Sequence, residues 1–424
     1  MNRPMSEGRF WNSREFLATI HNVALARLVS PYAVLAHVLA RVAASTPPHV
    51  VLPAFVGSKG SLNVIIALVG PSGSGKGAAS GASHDAVVTP EVFTAPLGSG
   101  EGMVKAFAHR ERNKDNEWNT VMDRTRVLFH ADEADTLAAL GSRTGSTTSS
   151  LMRSAWSGER LGATYADETK RVVLEPHSYR AVVTLGVQPK RSATLLGEAA
   201  GGTPQRVLWM PSTYAELVED PPEPFDAYEL PVLNWDGASG AGNDFLIEFP
   251  AHVAACVRKE RLKNARGESE VSELDSHSTQ SRLKVAALLA ILNGKKKASR
   301  VDWHLAGHIM AVSDRTRSEC TAAIEELEAD ASRERGRQRA VEKSAREDHE
   351  ADQKNKRWAS MHRQLTTSNS MLYSALYKSI TRSQRRGPDH FKLEVESYVR
   401  DQWLLHDEQT NRYRLGPKAE APAT

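Results

Sequence analysis

Apolar residues recur at helical spacing through residues 14–45, at Phe16, Ile20, Val23, Leu25 and Leu28 and then at Val34, Leu35, Val38 and Leu39. Ser30-Pro31 interrupts them, a pair in which serine can cap a helix and proline can open its first turn, so two N-terminal helices are predicted. Pro47-Pro48 stops the second helix, and the pattern changes. Val50–Phe55 and Leu62–Val69 read as strands, the latter almost unbroken in apolar residues, as a strand buried on both faces should be. Further strands are predicted at Val87–Thr94, Arg126–Ala131, Tyr179–Val187 and Arg206–Met210, with room for helices between them. That alternation predicts an α/β core over residues 50–213 with a largely parallel sheet, preceded by a helical segment at 1–49.

Periodicity disappears in the stretch 214–242, where Glu219–Gly242 is rich in Pro, Asp, Gly and Glu, and a surface connection is predicted. Residues 243–330 return to helical character, with Leu283, Val285, Ala286, Leu288, Leu289 and Ile291 in one apolar helix, and are expected to form a helical lid. Residues 331–357 hold nine basic and six acidic residues and almost nothing apolar, which predicts either a solvent-exposed helix or a disordered tether. The final segment, 358–424, regains core-forming positions such as Leu376, Ile380, Phe391, Val395 and Leu404. Its helix, turn, helix and two late apolar runs suggest a winged-helix-like module with the wing at Asp407–Asn411.

Charge adds little to this. Lys and Arg total 54 against 51 Asp and Glu, a net charge of +3 that by itself demands neither a nucleic-acid nor a membrane partner. Cys256 and Cys320 are far apart and lack metal-ligand spacing, which argues against a disulfide framework or a zinc site. Neither a signal peptide nor an apolar run long enough to span a membrane is legible, so a cytoplasmic protein is expected.

The predicted strand Leu62–Val69 runs directly into Gly70-Pro71-Ser72-Gly73-Ser74-Gly75-Lys76, a G-x-x-x-x-G-K loop in the setting such a loop requires. Glycines let the backbone N–H groups turn inward around phosphates, the helix that follows adds positive charge at its N-terminus, and Lys76 can reach the terminal phosphates. Gly77 and Ala78 continue the contact, and ATP with Mg2+ is the expected ligand. Gly77 is a departure, because Ser or Thr ordinarily supplies a magnesium-binding hydroxyl there. A water can take that ligand position, Ser80 can approach, or the site can bind nucleotide without efficient turnover; the water is the preferred reading.

Some 50 residues later the strand Val127–Ala131 ends in Asp132-Glu133, a Walker B arrangement. On a strand beside the loop strand, Asp132 would hold magnesium and Glu133 would orient or deprotonate the attacking water. Gln188, after the next strand, is a candidate sensor of the terminal phosphate. Arg206, projected by Gly201-Gly202-Thr203-Pro204, is a candidate arginine finger acting on a neighbouring subunit, with a salt-bridged surface arginine as the alternative. Leu97–Gly102 reads as a tight glycine turn, and Trp156 as a core residue.

With these motifs in place, the chain resembles the helicase-like replication ATPases of phages and integrated mobile elements, relatives of primase-polymerase fusion proteins. The resemblance rests on Ser61-Leu62-Asn63 leading into GPSGSGKG, on PLGSGEG at 96–102, HADEADTL at 130–137, AWSGERLG at 155–162, and on GVQP and GTPQR. It implies a RecA-like or AAA-like P-loop core, catalytic roles for Lys76, Asp132, Glu133 and Arg206, and a second sensor at Arg282. It also implies a homo-oligomeric ring acting on single-stranded or forked DNA, with a separate primase or polymerase, since only about 50 residues precede the core. In the tail, Arg382, Arg385 and Arg386 near a helix end and Arg412 and Arg414 on the wing are candidate DNA contacts, with protein docking as the alternative. The expected function is a DNA helicase or translocase, the rival a non-translocating ATP-dependent loader or switch.

Overall fold

The computed structural model describes residues 5–132, 147–162, 171–198, 201–236, 243–268, 277–385 and 387–419. The chain divides into two compact units, Met1–Leu327 and Glu328–Thr424. Among the described residues, no helix is long and apolar enough to cross a membrane.

The first unit is built on a five-stranded, all-parallel sheet: β1 (Ile65–Val69), β2 (Thr94–Pro96), β3 (Arg126–Ala131), β4 (Arg180–Val187) and β5 (Val207–Pro211), in the spatial order β5-β1-β4-β3-β2. Side chains alternate across it. Ile66, Leu68, Val182, Leu208 and Met210 enter one cluster with the N-terminal helices α1 (Glu7–Trp11), α2 (Glu15–Ala26) and α3 (Pro31–Ser45). Ile65, Ala67, Val69, Phe129, Val183 and Trp209 enter the opposite cluster with Met103, Val104, Met152 and Trp156. The loop strand, β1, is buried at all five positions, as its apolar run predicts.

Three local expectations need correction. The loop strand and the Asp132 strand are not neighbours, because β4 lies between them, pairing Val187 with Val69 on one side and Leu185 with Ala131 on the other. The eight residues of β4 are all buried, which suits a central place, whereas β3 alternates buried and half-buried positions. Val87–Thr94 is not one strand: Val87–Val88 pairs with Tyr228–Glu229, and Thr94–Pro96 separately forms the sheet edge. Pro90 between them lacks the N–H that a continuous ladder requires. Ser30 does precede Pro31 at a helix start, but its hydroxyl donates to the Pro211 carbonyl (2.7 Å) and makes no cap bond.

Residues 243–330, expected to form a helical lid, contribute side chains to the main core. After α4 (Lys76–Ala86), α5 (Gly100–Lys105), α6 (Thr148–Ser157), α7 (Ala193–Gly197) and α8 (Ala251–Ala265), helix α9 (Ser278–Leu292) places Leu283, Leu288 and Leu289 in the same cluster as α2 and α3. Buried polar bonds reinforce this. Arg180, fully buried at the start of β4, donates to the Thr46, Pro47 and Val50 carbonyls, to Ser61 Oγ and to Asn63 Oδ1, and no carboxylate pairs with it among the described residues. Lys284 of α9, also fully buried, donates to the carbonyls of Asn63 (2.6 Å) and Trp156 (2.5 Å).

Residues 331–357 are helical throughout, inside the 69-residue helix α10 (Arg300–Ser368). Ion pairs at helical spacing support it, Arg333 with Asp330, Lys343 with Glu347 and Lys356 with Asp352, each contributing about 0.2–0.5 kcal/mol. In the second unit, the end of α10 is followed by β6 (Met371–Leu372), α11 (Tyr373–Ser379), α12 (Pro388–Arg400), β7 (Leu404–Asp407) and β8 (Arg412–Leu415). The strands form an antiparallel sheet in the order β6-β8-β7 over a core of Trp358, Met361, Leu376, Phe391, Val395 and Leu404. Arg357, from the charged stretch, is buried there against Glu394 (2.9 Å), which also accepts from the Tyr398 hydroxyl.

Candidate functional site

The chain leaves β1 for the far edge at β2, returns inward through β3 and β4, and then passes β1 to reach β5. The strand order therefore reverses around β1. In open parallel sheets ligands settle outside the carboxyl ends of the strands at such a reversal, and Gly70–Lys76 occupies that position.

Within the loop, Gly73 (φ 79°) and Gly75 (φ 80°) adopt the left-handed backbone that turns successive N–H groups to one side, a conformation that a side chain would disfavour. Helix α4 (Lys76–Ala86) starts immediately afterwards, so its first N–H groups, from Lys76, Gly77 and Ala78, face the same space. The Lys76 ammonium arches back over the loop, donating to the Gly70 and Pro71 carbonyls (2.8 Å each) and approaching Ser74 Oγ (3.4 Å). Ser74 Oγ meets Ser212 Oγ (2.6 Å), and Gly70 N–H donates to the Val187 carbonyl (3.0 Å), so the loop is tied to both flanking strands.

A cavity of about 1010 Å³ opens over this end of the sheet and is lined by Ser72, Gly73, Ser74, Gly75, Lys76 and Gly77 together with Asp132 and Gln188. Asp132 is exposed at the end of β3, and Gln188 is half-buried at the end of β4. The residues expected to surround a phosphate chain, scattered over more than 100 positions, thus converge. Glu133 lies outside the described residues. The N–H groups of the loop and helix start, the Lys76 ammonium and a nearby carboxylate fit a nucleoside triphosphate. A magnesium ion would depend on Asp132, phosphate oxygens and water, because the described residues contain no group of three or more His, Cys, Asp or Glu able to hold a metal. A Cβ built on Gly77 meets no atom of the described residues within 4 Å.

Other expected residues stand elsewhere. Arg206 is absent from the cavity lining; it is half-buried, donates to the Gly202 carbonyl (2.6 Å) and lies over the Trp156 ring (5.5 Å). Burial, and then the nearby Arg153, push its pKa down. Arg282 donates to the Trp303 carbonyl and stacks on that ring at 3.9 Å, outside the cavity. Ser99 in the second glycine turn caps helix α5 (Gly100–Lys105) by accepting from Gly102 N–H (3.2 Å).

In the second unit, Arg382, Arg412 and Arg414 are exposed, and Arg412 donates to Ser370 Oγ (3.2 Å). Arg385 is instead committed to its own loop, donating to the Ile380 and Lys378 carbonyls and lying 5.4 Å over Tyr377. Arg386 lies outside the described residues. The exposed face of α12 carries Asp389, Lys392, Leu393 and Glu396, a mixed face that offers phosphates no consistent attraction.

Sequence reading missed residues that line the same cavity: His37 and Arg41 of α3, His84 of α4, Thr184 of β4, and Arg191 just after Gln188. The signal was there for two of them, since His37 and Arg41 are polar positions four apart in an otherwise apolar helix. Burial lowers the His37 pKa to about 4, so the imidazole is neutral at pH 7. No protein-family model matches the chain, and no curated protein sequence matches it.

Proposed function

We propose that this chain is a P-loop ATPase with a RecA-like or AAA-like core, working as a helicase or translocase on single-stranded or forked DNA during replication of a mobile element. The observation that carries this reading is the convergence of Gly70–Lys76, Asp132 and Gln188 on one cavity at the point where strand order reverses. Lys76 and the N–H groups of the loop and of α4 bind the phosphates. Asp132, with water, would hold magnesium, which would bridge phosphate oxygens and offset their charge. Gln188 contacts the terminal phosphate, and Glu133 orients the attacking water. Arg206 acts across a subunit boundary in a homo-oligomeric ring; to do so its side chain leaves the Gly202 carbonyl. A separate primase or polymerase would supply priming. The second unit is a winged-helix-like module, with Arg382, Arg412 and Arg414 as its available phosphate contacts.

A second reading, a loader or switch that binds ATP without translocating, is favoured by Gly77. Phosphate release from ATP, measured with and without single-stranded and forked DNA and followed by strand displacement, separates the two. The motor reading expects turnover to rise severalfold with DNA; turnover that ignores DNA, without displacement, leaves the loader.

Gly77→Ser gives a further expected result. A Cβ there meets no described atom within 4 Å, and the serine hydroxyl adds a magnesium ligand in place of a water. The Mg2+ concentration for half-maximal turnover should therefore fall severalfold. An unchanged magnesium titration would show that no metal ligand is missing at this position.

A further inference from the structure

The cavity extends beyond what the loop needs. Helix α4 runs KGAASGASHDA and presents no large apolar side chain to the sheet, so space remains between its flank and strands β3 and β4. Leu128, His130 and Asp132 alternate along one face of β3, with Thr184 beside them on β4, and His37 and Arg41 reach the same space from α3.

The chemistry of this inner half is one-sided. Arg41 is 9% exposed; its Nη1 donates to the Ser83 (2.8 Å) and Val87 (3.0 Å) carbonyls, and among the described residues no carboxylate pairs with it. His37, which bonds the Lys76 backbone through its ring, keeps Nε2 buried and without a hydrogen-bond partner among the described residues, as does His130 at Nδ1. A buried polar atom left unsatisfied costs about 1–3 kcal/mol, and a buried guanidinium without a counter-charge costs more. Two unpaired ring nitrogens and a guanidinium without a counter-charge face one cavity, and hydrogen phosphate suits them, its oxygens accepting from Arg41 and its O–H donating to a ring nitrogen that carries no proton. Two carboxylates line the cavity as well: Asp132 belongs to the loop end, and Glu91 is exposed.

We propose that the inner half of this cavity is a second anion site, which takes inorganic phosphate after hydrolysis, with Arg41 donating to its oxygens and His37, His130 and the Thr184 hydroxyl completing the shell. This rests on the ATPase reading for the origin of the phosphate, though not for the site itself. Phosphate formed beside Asp132 would move along β3 without crossing the loop, and ADP could remain bound while it does so.

The test uses the full chain, inorganic phosphate as the probe, and calorimetry with and without saturating ADP and Mg2+. Wild type is expected to bind one phosphate even when ADP fills the loop. Arg41→Met should weaken phosphate binding about tenfold or more while leaving ADP affinity within about twofold, and Lys76→Ala should do the reverse. Because Arg41 also holds two backbone carbonyls, His37→Leu serves as a second variant that spares those bonds; it should weaken phosphate binding while leaving ADP affinity within about twofold, although His37 also bonds the Lys76 backbone. If phosphate binding disappears in Lys76→Ala and survives in both α3 variants, phosphate sits on the loop and the second site does not exist. Absence of phosphate binding in the ADP-saturated wild type overturns the proposal equally. Failure of wild type to bind any nucleotide would instead strike the ATPase reading, and the contrast between Arg41→Met and Lys76→Ala in free protein would still decide the anion site.

Discussion

Lys76→Ala is expected to weaken ATP binding about a hundredfold or more without lowering the unfolding temperature appreciably. The ammonium is half-buried and bonded to the Gly70 and Pro71 carbonyls, so it already stands over the concave side of the loop and needs only to exchange those acceptors for phosphate oxygens. Charge-assisted bonds of this type contribute about 1.5–3 kcal/mol each, and two of them exceed what the surrendered carbonyl contacts return. Removing the side chain also frees the loop from its own strap, which adds to the loss. Titration with a fluorescent ATP analogue gives the affinity. Glu133→Gln should behave differently, retaining binding while turnover falls below a hundredth, because the amide cannot take a proton from water. If wild type and Glu133→Gln turn over ATP equally, the acidic pair has been assigned wrongly.

Gly186→Ala should be nearly as damaging, for a steric reason. A Cβ built at Gly186 would stand 2.0 Å from the Asp132 carbonyl oxygen and 2.9 Å from its carbonyl carbon. Both are backbone atoms, so β3 and β4 must separate where Asp132 leaves the sheet. Overpacking of this kind costs about 1–3 kcal/mol, which denaturant unfolding would register. The functional loss should be larger. A displacement near 1 Å of a positioned group can cost about a hundredfold in rate, while on the proposed reading the Gly70–Lys76 loop after β1 stays in place and ATP affinity changes little. Gly81→Ala, where a Cβ meets no described atom within 4 Å and which lies outside the cavity lining, is the matched control. Wild-type turnover in Gly186→Ala would show that the position of Asp132 is immaterial to the reaction.

Local pattern made part of this architecture readable. The apolar run of β1 followed by GPSGSGK specifies a strand, a turn and a helix start within a dozen residues, and each of these needs only its own neighbours in sequence. Adjacency in the sheet is another matter. Nothing in the residues near Asp132 encodes that β4 is interposed, since that choice is made by the burial each strand demands when all five compete for the centre. The same holds for α9, whose apolar face reads equally well as a lid or as a core helix until α2 and α3 are seen against it. Single polar or charged residues inside apolar runs were the neglected clues: His37 and Arg41 in α3, Lys284 in SRLKVAALLA and Arg180 at the head of β4 are all placed by long-range partners.

Lys284 also limits how the first unit can move. Its ammonium, fully buried and held by the Asn63 and Trp156 carbonyls, lies 3.5 Å from the Trp156 ring, and burial, followed by Arg180 and Arg206, lowers its pKa well below the ordinary lysine value. Swinging α9 away from the sheet would strip this group of both acceptors and flood an apolar seam with water. A machine that turns ligand exchange into displacement needs a compliant joint, and the contact between α9 and the sheet is the opposite, a clamped strut. On the proposed motor reading, force generated at the Gly70–Lys76 loop would reach α9 as strain carried through Asn63 and Trp156, with travel reserved for softer places.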